Sequence, residues 1–60
     1  MHFTVKILEI DEEPRGTTLL ATYDVEAAEL DEARILGLER FKQEHPGRSL
    51  SLIHGKVMPA

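Results

Sequence analysis

Residues 2–10 read HFTVKILEI, and side chains of different character alternate along this stretch. Phe3, Val5 and Ile7 fall on one face of an extended chain, because successive side chains of a strand point to opposite sides. The other face carries Thr4, Lys6, Leu8 and Ile10. A period of two in a segment rich in β-branched and aromatic residues is typical of a strand. The stretch therefore predicts a first strand.

The alternation returns at residues 17–27, after a polar segment, DEEPRG at 11–16, whose Pro and Gly indicate a hairpin loop. One face of this second predicted strand carries Leu19, Ala21, Tyr23, Val25 and Ala27. The other face carries Thr18, Leu20, Thr22, Asp24 and Glu26. A connection this short predicts that the two strands pair antiparallel. The more apolar face of each strand, which in the second strand includes Leu19, is expected to lie on the side of the sheet that the helix covers.

Residues 30–44 change to a helical period, which groups an apolar stripe on one side. The stripe comprises Leu30, Ala33, Gly37, Leu38 and Phe41. Gly37 within it predicts a close approach of the helix to the sheet. Asp31 and Glu32 suit the helix start, whereas His45-Pro46-Gly47 indicates its end. A longer helix from Val25, capped by Asp24, is the alternative, but the alternation through residue 27 favours the later start.

A third strand is predicted within residues 48–57, where SLSLI at 49–53 is β-like, and the tail at 58–60 is expected to fray. The element order is then strand, strand, helix, strand. A right-handed crossover makes strands two and three parallel, with strand one between them. The fold class predicted is α+β, a ββαβ domain over 1–60, with strand order 2-1-3 and the helix on one face.

One helix covers only one face of such a sheet, and the other face is predicted to keep an apolar set. That set is Leu8, Ile10, Leu20, Leu50 and Leu52. A contiguous apolar patch on a sheet face marks a contact surface, and a domain this small is marginal alone. We therefore expect a homodimer, a higher oligomer or a complex with another protein. The contact is expected on the open face or, by strand addition, on an edge of strand two or three.

Composition narrows the class of protein. The chain has 60 residues, a net charge of −4, 42% hydrophobic residues and no Cys, so disulfides and thiolate chemistry are excluded. No apolar run is long enough to cross a bilayer, which predicts no membrane contact. The polar, alternating opening predicts no signal peptide and a cytoplasmic location. The favoured function is a non-enzymatic interaction or regulatory protein.

Charge is distributed unevenly and suggests an alternative. Residues 1–33 carry a net charge of −7 and residues 34–60 a net charge of +3. Arg40, Lys42 and Arg48 form a candidate basic end for nucleic-acid contact, although the chain has neither the net basic character nor the aromatic residues usual in such proteins. The alternative function is thus a nucleic-acid-binding regulator of antitoxin-like or phage type.

Two short stretches, FTVKI at residues 3–7 and DEA at 31–33, resemble the short antitoxin domains of the HicB type. The resemblance covers about the first two-thirds of the chain. The Gly- and Pro-bearing segment typical between strand and helix in that family is missing, and a third predicted strand follows the helix. No functional residue is transferred on this basis.

Few residues are candidates for catalysis or for metal binding. His2 and His54 fall on the open face, and antiparallel pairing of strands one and three would make them neighbours, as in a two-His metal site. No carboxylate completes that site, so we predict no metal or cofactor. No signature of a catalytic triad, phosphate loop or paired acid and base is present. An enzyme is left only as a third alternative, with its site between subunits.

Overall fold

A computed structural model describes residues 1–11 and 16–60. The elements are β1 (His2–Asp11), β2 (Gly16–Glu26), α1 (Leu30–Glu44) and β3 (Ile53–Pro59). The three strands form one antiparallel sheet in the order β2-β1-β3. The predicted α+β class, element order, strand order and helix start are confirmed. Most of the predicted hairpin loop, residues 12–15, lies outside the described residues.

The register of the sheet fixes which side chains share a face. Phe3 pairs with Val25 and Val5 with Tyr23 across the β1–β2 ladder, while Val5 also pairs with Val57 of β3. Directly opposed residues point to the same side, so these side chains form the face that α1 covers. The buried cluster consists of Phe3, Val5, Ile7, Tyr23, Ala27, Ala33 and Phe41.

The helix contacts the sheet through two small residues and one large aromatic residue. Ala33, Gly37 and Phe41 are its buried positions, spaced one turn apart. A Cβ atom at Gly37 would lie 2.5 Å from Val5 Cγ1, so only glycine allows the two backbones to come this close. Leu38 is partly buried beside this row, whereas Leu30 of the predicted stripe is exposed. The predicted role of Gly37 is confirmed.

A β-bulge corrects the predicted face of Leu19. Ile7 pairs with Ala21, but Leu8 pairs with Leu19, so Leu20 is an extra residue in β2. The extra residue reverses the alternation beyond it. Leu19 therefore lies on the open face beside Leu8, and Leu20, predicted to lie there, packs against the buried cluster.

The third strand begins later than predicted. Residues 49–52 do not form a strand; the Ser49 hydroxyl accepts the Ser51 backbone N–H at 3.4 Å, and the Ile53 N–H donates to the Leu50 carbonyl at 3.2 Å. Serine side chains compete with strand pairing by bonding the nearby backbone in this way.

The expected fraying of the tail is also wrong, because Met58 and Pro59 pair with β1. Pro59 is tolerated at the end of an edge strand, where its missing N–H costs little.

Within residues 1–11 and 16–60, no helix is both long enough and apolar enough to cross a membrane.

Candidate functional site

The open face of the sheet carries an apolar patch at the end nearest the β1–β2 loop. Leu8 pairs with Leu19, and the Ile10 N–H donates to the Leu52 carbonyl at 2.9 Å, which extends the β1–β3 register by one rung. Leu19 is 54% exposed, Ile10 46% and Leu52 41%, while Leu8 is half-buried between its neighbours. We call Leu8, Ile10, Leu19 and Leu52 the loop-proximal patch.

The structure keeps part of the predicted contact set and corrects the rest. Leu8, Ile10 and Leu52 lie at the patch, but Leu20 and Leu50 are partly buried and pack against the core cluster. Sequence reasoning missed Leu19. Leu19 and Leu20 are adjacent and identical, so the hydrophobic pattern is the same whichever of them faces outward. The alternation therefore does not reveal the bulge.

The remainder of the open face is polar and charged. Lys6 pairs with Lys56 of β3 on one side and with Thr22 of β2 on the other. One rung further, the Thr4 hydroxyl donates to Asp24 Oδ1 at 3.4 Å. Apart from Met58, which pairs with Thr4, the apolar residues of the open face lie at the loop-proximal end. Any partner that covered the whole face would have to desolvate the charges of the remainder.

Two of the three basic residues proposed for nucleic-acid contact lie next to carboxylates. Arg48 donates to Glu9 Oε2 at 2.8 Å, and Arg40 Nε lies 3.7 Å from Glu44 Oε2. Lys42 follows Arg40 by two residues, which places the two side chains about 200° apart around a helix. These two ion pairs offset part of the positive charge of the basic end that the sequence predicts, and nucleic-acid contact there stays a prediction.

The expected proximity of His2 and His54 is wrong. His54 pairs with Leu8, whereas His2 pairs with Glu26 at the opposite end of β1. Six residues of strand separate the two rungs, a distance of about 20 Å. Among the described residues, no three His, Asp or Glu side chains are placed to hold a metal ion.

A polar cluster beneath the helix end was not anticipated from the sequence. The buried Tyr23 phenol donates to Glu44 Oε1 at 2.8 Å, and the Arg40 guanidinium lies 5.0 Å from the Tyr23 ring centroid. Burial, then the hydrogen bond and negative charge of Glu44, raise the pKa of Tyr23 above its usual 10.0, while Arg40 acts in the opposite direction. The cluster ties β2 to the end of α1, because its hydrogen bond joins one side chain of each element.

This raised pKa predicts a loss of stability in alkali. The unfolded phenol ionises near pH 10, whereas the folded phenol keeps its proton to higher pH, so the contribution is complete below pH 10 and is lost as pH rises through the folded pKa. We expect the free energy of unfolding, measured by urea denaturation from pH 8 upward, to fall more steeply for the wild type than for Tyr23→Phe. Equal slopes for the two proteins would contradict this assignment, since the lysines are common to both.

Comparison of the chain with family models found no match, and comparisons with curated proteins and with solved structures found no significant one. The resemblance of the two short stretches to HicB-type antitoxin domains gains no support from them.

Proposed function

We propose that this protein is a small non-enzymatic interaction module of regulatory type, which self-associates as a homodimer through the loop-proximal patch. The observation that carries the proposal is the side-by-side placement of Leu8 and Leu19, next to Ile10 and Leu52, on the sheet face opposite α1. Covering apolar surface contributes about 25 cal/mol per Å² and adds to the small stability of a short chain.

A second copy of the chain fits this patch better than a charged partner does. The patch residues are all uncharged, and their direct cross-strand neighbours include Thr17, which pairs with Ile10, and His54, which pairs with Leu8. A two-fold axis through the patch stacks leucine on leucine in an isologous contact. Lys6 and Lys56 pair with each other one open-face position beyond Leu8 and His54, so they border the patch, and their long side chains can keep their charged ends in water around it.

The size of the patch sets the strength of the dimer. Three strands and about four rungs cover roughly 200 Å² of sheet face, given strand spacings of ~4.8 Å and rises of ~3.3 Å. Standard stable interfaces bury about 800 Å² on each partner. We therefore propose a weak, concentration-dependent homodimer, suited to regulated assembly.

The most direct variant places a charge in the patch. Leu19→Asp is expected to lower the association constant at least about tenfold, because two carboxylates would then meet in an apolar contact. The measurement is sedimentation velocity from micromolar to millimolar protein. Ile35→Asp is the matched control, since Ile35 is as exposed as Leu19 but lies on the helix.

Comparison of Leu19→Asp with Ile35→Asp shows whether the patch is the contact surface. The proposal fails if Leu19→Asp and Ile35→Asp sediment alike at every concentration. Leu20→Asp is not a suitable substitute, because Leu20 packs against the buried cluster and its replacement should unfold the chain. Circular dichroism of each variant confirms that the fold is retained before its mass is interpreted.

A cytoplasmic setting is part of the proposal. The chain contains no Cys, so its stability does not draw on an oxidising compartment. Stabilisation by a partner subunit fills the role that disulfides play in many small secreted domains.

A further inference from the structure

The outer edge of β2 borders a groove on the helix side. The groove, with a volume of about 420 Å³, lies between the end of β2 and α1. Its lining consists of Val25, Glu26, Leu36, Glu39, Arg40 and Gln43. The four helical residues are spaced so that they share one face of α1. Throughout the described part of the chain, no strand pairs with this edge, because β2 is the terminal strand of the sheet.

We propose that this edge binds an extended, basic segment of another protein by strand addition, with apolar side chains entering the groove beside Leu36. Strand addition uses the unpaired backbone groups of an edge and reads alternate side chains in adjacent pockets. Residues 21–26 offer a regular stretch for such pairing, because the bulge at Leu20 lies just before them. The proposal does not rest on the homodimer, which uses the opposite end of the sheet.

Charge determines the chemistry of the partner. Asp24 and Glu26 lie on the open-face side of the edge, and Glu39 lies on the helix side. Arg40 is the basic residue of the groove, and Glu44 already faces it at 3.7 Å. Within residues 1–11 and 16–60, Asp24, Glu26 and Glu39 form no ion pair, so an added strand is flanked by carboxylates on both sides, which favours lysine or arginine in the bound segment.

The same carboxylates disfavour a second copy of β2 as the occupant. A two-fold pairing within residues 21–26 has its axis at residue 23, 24 or 25. Each of these registers places Asp24 or Glu26 directly opposite or diagonal to a carboxylate of the other copy, within about 8 Å. A register that separates the carboxylates must include the bulge at Leu20, where strand pairing is disrupted.

The probe is a short capped peptide in which lysine alternates with valine, and the control peptide has glutamate in place of each lysine. Amide shifts of the isotope-labelled full chain are followed by NMR during titration. We expect the lysine peptide to shift the amides of residues 21–26 and of Leu36, and to bind at least about tenfold more tightly than the glutamate peptide. Added salt should weaken the lysine peptide's binding.

A pair of neighbouring variants tests the groove. Leu36→Ala should weaken binding of the lysine peptide several-fold, whereas Ile35→Ala, which removes an exposed side chain that does not line the groove, should leave it unchanged. The proposal is overturned if the two variants bind alike, if both peptides bind equally, or if the shifts map to β3. Concentration-dependent shifts of residues 21–26 without peptide would also overturn it, since they would indicate self-pairing of the edge.

Discussion

Replacing Phe41 by alanine is expected to leave the chain largely unfolded at room temperature. Phe41 is fully buried between α1 and the sheet, and its ring lies 4.7 Å from the His45 ring, centroid to centroid. Truncation of a buried phenylalanine costs about 3–5 kcal/mol. A domain of 60 residues has a total stability of roughly 3–9 kcal/mol, at about 0.05–0.15 kcal/mol per residue. The loss is therefore comparable to the whole stability.

Urea denaturation followed by circular dichroism measures this effect. Phe41→Leu should fold and lose less stability, because it keeps most of the buried volume. Ile35→Ala serves as the control on the exposed side of the helix, where we expect a change within about 0.5 kcal/mol. A Phe41→Ala protein with a cooperative transition close to that of the wild type would contradict the packing described here.

Adding a single methyl group at Gly37 is expected to destabilise the domain by about 1–3 kcal/mol, even though alanine is intrinsically the better helix former by ~1 kcal/mol. The new Cβ would lie 2.5 Å from Val5 Cγ1 and 2.8 Å from Val5 Cβ. Val5 is fully buried in the central strand, so its side chain cannot turn into solvent to relieve this contact. Gly37→Val should be worse, because its larger side chain meets the same atoms.

A double-mutant cycle shows whether the clash is the cause. Val5→Ala removes Cγ1 and Cγ2, the atoms at 2.5 and 3.1 Å, so Gly37→Ala should cost less in that background than in the wild type. Thermal unfolding of the four proteins provides the comparison. Additive losses, or a stabilised Gly37→Ala single variant, would show that α1 does not approach the sheet this closely.

Much of this architecture was predictable from local patterns. The period-two alternation in β1 and β2 and the apolar spacing in α1 each reflect a single buried face, and all three elements form where the pattern indicated. Gly37 was informative for a physical reason, since a glycine on a buried helix stripe has little purpose other than close approach. The strand order followed from the handedness of crossover connections.

The errors in the sequence prediction have equally specific causes. An extra residue in β2 exchanges the faces of Leu19 and Leu20, and two adjacent leucines conceal the exchange. The serines at 49 and 51 bond to each other and to the local backbone, so an apparently β-like run became a turn. The bulge depends on how β2 pairs with β1, and the turn depends on local hydrogen bonds. Neither can be predicted from the spacing of hydrophobic residues. As a result, Leu19 replaces Leu20 in the candidate contact set, and Leu50 leaves it because it packs against the core.

Self-association through the loop-proximal patch can be measured in a dilution series of the isotope-labelled wild-type protein. NMR spectra are recorded from millimolar to micromolar concentration, alongside sedimentation of the same samples. We predict a mass that rises from 6.8 kDa toward twice that value, with shift changes centred on Leu8, Ile10, Leu19 and Leu52. A mass of 6.8 kDa throughout, with no shift changes at these four residues, would contradict it.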